Sequence, residues 1–268
     1  MKDIFNLSDK VVVLTGGLGQ IGLNYIGALL SKKAKVVVLD VKSEREAENI
    51  LKNKFLLKQR DNILYCLTDI TKKIEINKTK KIIISRYNKI DVLINNAAMV
   101  PKVDKDKFIQ SNSVTFEDLD VKLWNKEFEI NLTAMMMCCQ EFGSIMKSGS
   151  SIINISSIYG VVAPDQGIYQ EGFIKPATYG VTKAGVINLT KYLATYWGKK
   201  NIRVNSVVLG GVYANQDTFF LKRYADKTPL GRMANPDEFN GIIVYLSSDA
   251  SSYATGSVFT IDGGWTAW

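Results

Sequence analysis

Apolar residues follow two rhythms along the chain. Short, nearly unbroken Val/Ile/Leu runs occur at 10–17 (KVVVLTGG), 35–40 (KVVVLD), 63–69 (ILYCLTD), 91–98 (DVLINNAA), 150–157 (SSIINISS), 202–208 (IRVNSVV) and 256–262 (GSVFTID). Runs of this kind predict strands buried on both faces. Longer stretches between them, 20–31, 71–87, 119–147, 177–198 and 236–247, carry apolar residues at helical spacing. In 119–147 the stripe is Trp124, Phe128, Met135, Cys138, Phe142 and Ile145; in 177–198 it is Val186, Leu189, Leu193 and Trp197. The alternation predicts an α/β protein with a seven-stranded parallel sheet, doubly wound, helices on both faces. No repeat or linker divides the pattern, so one domain over residues 1–268 is the economical organisation.

Composition changes this picture little. Of 268 residues, 46% are hydrophobic and 22% charged, enough apolar material for an ordinary core. No apolar run is long enough to span a membrane, and the first residues lack a signal-peptide pattern, which predicts a cytoplasmic protein. Cys66, Cys138 and Cys139 suit neither a disulfide framework nor a zinc site, so no metal is expected. The net charge of +8 raises nucleic acid as a partner. The lysines are scattered, however, with no basic tail or aromatic RNA-binding motif, which favours solvated faces and attraction for an anionic substrate. The chain contains no histidine, which excludes a Ser-His-Asp hydrolase and leaves proton transfer to other side chains.

Two places carry candidate chemistry. The first is TGGLGQIG (15–22), between the first strand and the first helix. Gly16, Gly19 and Gly22, with Gln20 and Ile21, make a turn that lets backbone approach a diphosphate and aims the helix N-terminus at it. Asp40, at the end of the second strand, is placed to accept ribose hydroxyls and to repel a 2′-phosphate. That favours NAD, while Lys42 leaves room for NADP. A plain turn and a strand-end aspartate are the alternatives. The second place is YGVTK (179–183), where Tyr179 and Lys183 share one helix face. Tyrosine, with an ordinary pKa of about 10, needs help to act as a base near neutrality. An adjacent ammonium is expected to lower it.

Taken with NNAA (95–98), FEINL (128–132), INISS (153–157), IRVNSVVLGGV (202–212) and DGG (262–264), these stretches resemble the short-chain dehydrogenase/reductase family along nearly the whole chain. The resemblance implies a Rossmann-type domain and hydride transfer between a nicotinamide and an alcohol or ketone. It implies Asn131, Ser157, Tyr179 and Lys183 as the catalytic set. Ser157 would stabilise the charge on the substrate oxygen, and Asn131 would hold water in a proton relay to Lys183. It implies cofactor contacts from the glycine turn, Asp40, Asp69, Ile70, Asn95, Ala97, Gly210 and Val212, with Tyr179 and Lys183. It also implies a homo-oligomer, tetramer or dimer, to which the Tyr–Lys helix and the terminal WTAW could contribute.

The chain departs from the family in three ways. Gln20 stands where the family has glycine, a spacing closer to sugar-nucleotide epimerases. Leu209 replaces the proline before Gly210, which predicts a looser loop. Tyr179 lies 22 residues after Ser157, with an insert over about 161–176. Residues 213–230 are expected to fold over the substrate. Their Lys222 and Arg223 are read either as anion ligands or as a solvated pair. Tyr169, in the insert, is read as pocket lining or core cover. The insert and the DGGWTAW ending resemble oxidoreductases of flagellin-modification and sialic-acid-like sugar pathways, implying a sugar or sugar-nucleotide substrate. An epimerase or dehydratase that retains its NAD, and a non-enzymatic dinucleotide-binding regulator, are the competing functions.

Overall fold

The computed structural model describes residues 3–99 and 115–268. Seven parallel strands form the sheet: β1 (Val11–Thr15), β2 (Lys35–Asp40), β3 (Ile63–Leu67), β4 (Val92–Asn95), β5 (Ser151–Ser157), β6 (Arg203–Leu209) and β7 (Val258–Ile261). Their spatial order is β3-β2-β1-β4-β5-β6-β7. The described helices are α1 (Gln20–Ser31), α2 (Glu44–Lys54), α3 (Leu57–Arg60), α4 (Lys73–Tyr87), α5 (Val121–Phe128), α6 (Ala134–Gly143), α7 (Ala177–Gly198), α8 (Thr218–Asp226) and α9 (Asn240–Ser247).

Successive side chains on a strand point to opposite faces, so one run of valines feeds two cores. Val12 and Leu14 pack with α1, α2 and α9, through Tyr25, Ile26, Leu29, Leu51 and Ile243. Val11 and Val13 pack with α4, α6 and α7, through Ile76, Ile83, Phe142, Leu193 and Trp197. This is the doubly wound α/β architecture the pattern predicts. Strand order reverses between β1 and β4, both hydrogen-bonded on either side. In such sheets the carboxyl ends of the strands at that switch point form a crevice.

Predicted and observed bounds coincide for β2, α1 and α7. Two differences have physical causes. The helix expected over 119–147 is three pieces: α5, a π-turn at Glu129–Thr133, then α6. The π-turn inserts one residue into the helical ladder, and Asn131 lies inside it. Helix α2 has no counterpart in the hydrophobic pattern, because only Ala47 and Leu51 of it are buried. It is set by its cap: Ser43 accepts from the Glu46 N–H, and the Glu46 carboxylate accepts from the Ser43 N–H at 2.9 Å.

Candidate active site

A cleft of about 1270 Å³ runs across the carboxyl ends of the strands. At one end lies the glycine turn. Gly16 adopts φ +62°, and a Cβ there would sit 2.7 Å from the Ala97 Cα; a Cβ on Gly22 would sit 2.6 Å from the Gly16 carbonyl oxygen. Gly19 caps α1 without a side-chain acceptor, so the first amides of the helix remain open to a ligand. The turn is pinned from the next strand: Asn96 Nδ2 donates to the carbonyls of Thr15 (3.1 Å) and Gly16 (3.0 Å). Thr15 Oγ1 in return accepts from the N–H groups of Asn96 and Ala97. Asp40 is held at the tip of β2, accepting from the Leu18 N–H at 3.0 Å and the Val41 N–H at 2.9 Å. Asp69 accepts from Thr71 N–H and Oγ1 and lies 3.4 Å from the Lys72 ammonium. Partial burial works upward on it, yet these hydrogen bonds hold its carboxyl below the usual range. A close-packed glycine cradle, an uncapped helix N-terminus and a carboxylate at the β2 tip fit a dinucleotide.

At the other end, β5 brings Ser157 and α7 brings Tyr179 and Lys183 to the cleft wall. Lys183 is buried, its Nζ 5.7 Å from the Tyr179 ring centroid and donating to the Ile155 carbonyl at 3.0 Å. Burial lowers its pKa to about 8. Burial also pushes the Tyr179 phenol above its ordinary value; hydrogen bonding with Ser157 works against that, and the Glu127 carboxylate adds to it. The expectation that Lys183 holds Tyr179 down is therefore corrected. Desolvation dominates both groups, keeping the phenol protonated and weakening the ammonium. The arrangement offers a neutral phenolic proton donor beside a serine hydroxyl.

The cleft wall includes Gly16, Gly19, Gln20, Ile21, Gly22, Asp40, Asp69, Ile70, Ala97, Ser157, Tyr179, Lys183, Gly210 and Val212. Asn95 and Asn131 are not brought to it. Asn95 points into the core, donating to Asn154 Oδ1 at 2.8 Å and to the Cys139 sulfur at 3.3 Å. The residue that reaches the turn is Asn96. Asn131 is fully buried and spends both polar atoms on one residue: Oδ1 accepts from the Met99 N–H at 2.7 Å, and Nδ2 donates to the Met99 carbonyl at 3.0 Å.

The loop over the cleft is tied down without the family's proline. Leu209 is buried; Gly210 N–H donates to the Ile261 carbonyl at 2.9 Å, and Gly211 N–H to the Tyr224 hydroxyl at 2.5 Å. The Val212 carbonyl accepts from Gln216 Nε2 at 2.9 Å. Gln20 reaches across from the glycine turn, its Nε2 donating to the Tyr213 carbonyl at 2.8 Å. Tyr169 meets both of its readings: it lines the cleft, and it packs against Phe173 and Phe220 while hydrogen-bonding the Tyr159 hydroxyl at 2.8 Å. Lys222 and Arg223 do not reach the cleft; Arg223 bonds the Gly167 carbonyl and covers the Phe219 ring. Trp265 is buried on its own chain, stacked on Tyr224. Among the described residues no acidic, cysteine or histidine cluster could hold a metal, and no helix is long and apolar enough to cross a membrane. Sequence reasoning passed over Thr15, Asn96, Glu127 and Lys175. Of these, Lys175 carried a signal, a lysine four residues before Tyr179.

A family model described as enoyl-(acyl carrier protein) reductase matches residues 19–266. Trans-4-hydroxycyclohexanecarboxylate dehydrogenase of Sinomonas cyclohexanicum is 35% identical over 97% of this chain and 94% of its own. Post-translational flagellin modification protein A of Campylobacter coli is 28% identical over 97% and 99%. The crystal structure of a short chain dehydrogenase from Leptospira borgpetersenii serovar Hardjo-bovis, with bound NAD+, is similar with a TM-score of 0.83 and 33% identity. It covers 99% of this chain and 96% of that one.

Proposed function

Because the chain belongs to the short-chain dehydrogenase/reductase family, we propose that Tyr179, Ser157 and Lys183 drive NAD-linked interconversion of an alcohol and a ketone. The observation that carries this reading is one continuous cleft, with the glycine cradle and Asp40 at one end and those three side chains at the other. The nicotinamide supplies the hydride acceptor or donor when bound. The protein supplies the rest. Tyr179 holds the proton that the substrate oxygen gives or takes. Ser157 hydrogen-bonds that oxygen as its charge changes. Lys183 holds a ribose hydroxyl and keeps α7 in register through Ile155. Asn131 fixes the segment after β4 through Met99, and a relay through it to Lys183 belongs to this proposal. Asp40 supports NAD over NADP.

For the substrate we infer a sugar-type ring used in surface-glycan synthesis. The similarity to the flagellin modification protein supports it, as do the polar Gln170, Asn215 and Gln216 at the cleft. The name of the 35% relative points instead to a simpler hydroxylated ring acid. A homo-oligomer belongs to the same reading, supported by Val181, Tyr192 and Tyr196 exposed on α7.

The test is titration of the protein with NAD(H) and NADP(H), followed by NADH release in the presence of polyols and sugar acids. Preferential NAD(H) binding and NADH release are expected. Retention of NADH on the protein through turnover would favour the epimerase alternative. Tyr179→Phe is expected to lower turnover about 10²- to 10⁴-fold and to spare NADH affinity. Unchanged turnover would remove Tyr179 from the mechanism.

A further inference from the structure

Lys175 precedes α7 and belongs to none of the roles above. Its backbone is clamped on both sides by one side chain: its N–H donates to Gln166 Oε1 at 2.9 Å, and its carbonyl accepts from Gln166 Nε2 at 3.2 Å. Pro176 follows and opens the helix. The main chain is therefore fixed independently of the lysine side chain, which has no part in holding the turn.

That side chain is 8% exposed, lines the cleft, and sets its ammonium 4.7 Å from the Tyr179 ring centroid. Among the described residues it has no hydrogen-bond partner and no carboxylate within the 4.0 Å of an ion pair. Of the other lysines lining the cleft, Lys183 is engaged with the Ile155 carbonyl and Lys126 with Glu129 at 2.9 Å, while Lys42 stands beside Asp40 at the glycine-turn end. A lysine withdrawn from water without an anion is costly. Contact with the tyrosine ring recovers only part of that cost. Glu127 is wholly buried, both carboxylate oxygens unpartnered, and does not line the cleft.

We propose that Lys175 is a specificity residue that binds an anionic group of the substrate, a carboxylate or phosphate lying a few bonds from the carbon that exchanges hydride. The placement sets this geometry: an ammonium over the face of the proton-transferring tyrosine reaches a charge on the same molecule as the reacting oxygen. Burial pushes the Glu127 carboxyl above its ordinary range, and the Lys175 ammonium works against that, so Glu127 does not stand in for the anion. The inference rests on the dehydrogenase reading and narrows it to hydroxy acids, oxo acids or their phosphorylated counterparts.

The test uses three ligands that share one polyol body: sorbitol, gluconate and sorbitol 6-phosphate. Calorimetry is run on the protein with and without NADH, and NADH formation is followed with the same three compounds. Gluconate or sorbitol 6-phosphate is expected to bind about tenfold or more tightly than sorbitol, the size of one charge-assisted hydrogen bond. Which anion wins identifies the source of the charge. Lys175→Met is expected to erase that preference. The double variant Lys175→Met/Glu127→Gln, which leaves no unpaired buried charge, is expected to erase it equally and guards against misfolding of the single one. Absence of an anion preference, or a preference that survives both variants, overturns the proposal. A wild-type protein that fails to bind NADH sinks the dehydrogenase reading instead, and the titration without NADH still reads the anion preference.

Discussion

Single residues in this cleft do more than their type suggests. Gly16 combines two demands that only glycine meets, a left-handed backbone at φ +62° and a 2.7 Å approach to Ala97 Cα. Gly149 has the first demand alone, with φ +87° and nothing within 4 Å of its Cβ direction. Gly149→Ala should therefore cost about 1 kcal/mol of backbone strain. Gly16→Ala should cost clearly more, about 2 kcal/mol or above, because backbone must move as well. Urea denaturation of the two variants reads the difference; equal losses would mean that the close approach carries no energy. The Tyr179–Lys183 pair teaches the complementary lesson. Their spacing alone suggests a lowered phenol pKa, but spacing says nothing of solvent. Withdrawal from water acts on each group separately, raising the phenol and lowering the ammonium.

At the scale of elements, the glycine turn and the loop over the cleft are one unit through Gln20 and Tyr213. The sequence presents Gln20 as a departure from a glycine motif; the structure makes it a strap across the cofactor end. Loss of one neutral hydrogen bond is worth about 1 kcal/mol. Gln20→Ala should thus release NADH about threefold to tenfold faster, read by stopped-flow displacement; an unchanged rate would deny the strap a role. What the sequence disclosed follows from how each element is stabilised. Strands buried on both faces read as unbroken apolar runs, so β2 was legible to the residue. Helix α2 was not, because its signal is the Ser43–Glu46 cap rather than an apolar stripe. The π-turn escaped because the interval from Phe128 to Met135 suits an unbroken helix equally well, and only packing around Met99 shows the extra residue. Asn95 and Asn96 are neighbours of one type. The pleat sends the first into the core, and the strand end turns the second to the glycine turn. The contact of Lys175 with Tyr179 is not legible in the sequence because Lys175 lies before Pro176, outside α7, where helical spacing says nothing of which side chains meet.

For the whole molecule, burying titratable groups around one cleft ties stability to pH. Burial holds Lys175 and Lys183 at about 8, against an ordinary 10.5. The folded protein then sheds these protons from about pH 8, while the unfolded chain keeps them until about 10.5. The unfolded state binds more protons across that interval, so stability rises with pH there. The three buried thiols act in the opposite sense. Burial pushes Cys66 up to about 11, Cys139 to about 12 and Cys138 higher still, from an ordinary 9. Above about pH 9 the unfolded chain loses protons that the folded protein keeps, and stability falls. Buried tyrosines such as Tyr159 and Tyr224, each raised to about 12, steepen that fall above pH 10. Between pH 8 and 9 the two lysines outweigh the thiols by about 1 kcal/mol, and above it the order reverses. Urea denaturation should therefore give a stability maximum near pH 9. Removing one lysine together with the buried carboxyl that acts on it, as in Lys175→Met/Glu127→Gln, should flatten the rise from pH 8 to 9. A wild-type stability that falls steadily from pH 8 would mean that the lysines keep their ordinary pKa in the folded protein, and that water reaches the tyrosine end of the cleft far more freely than its burial indicates.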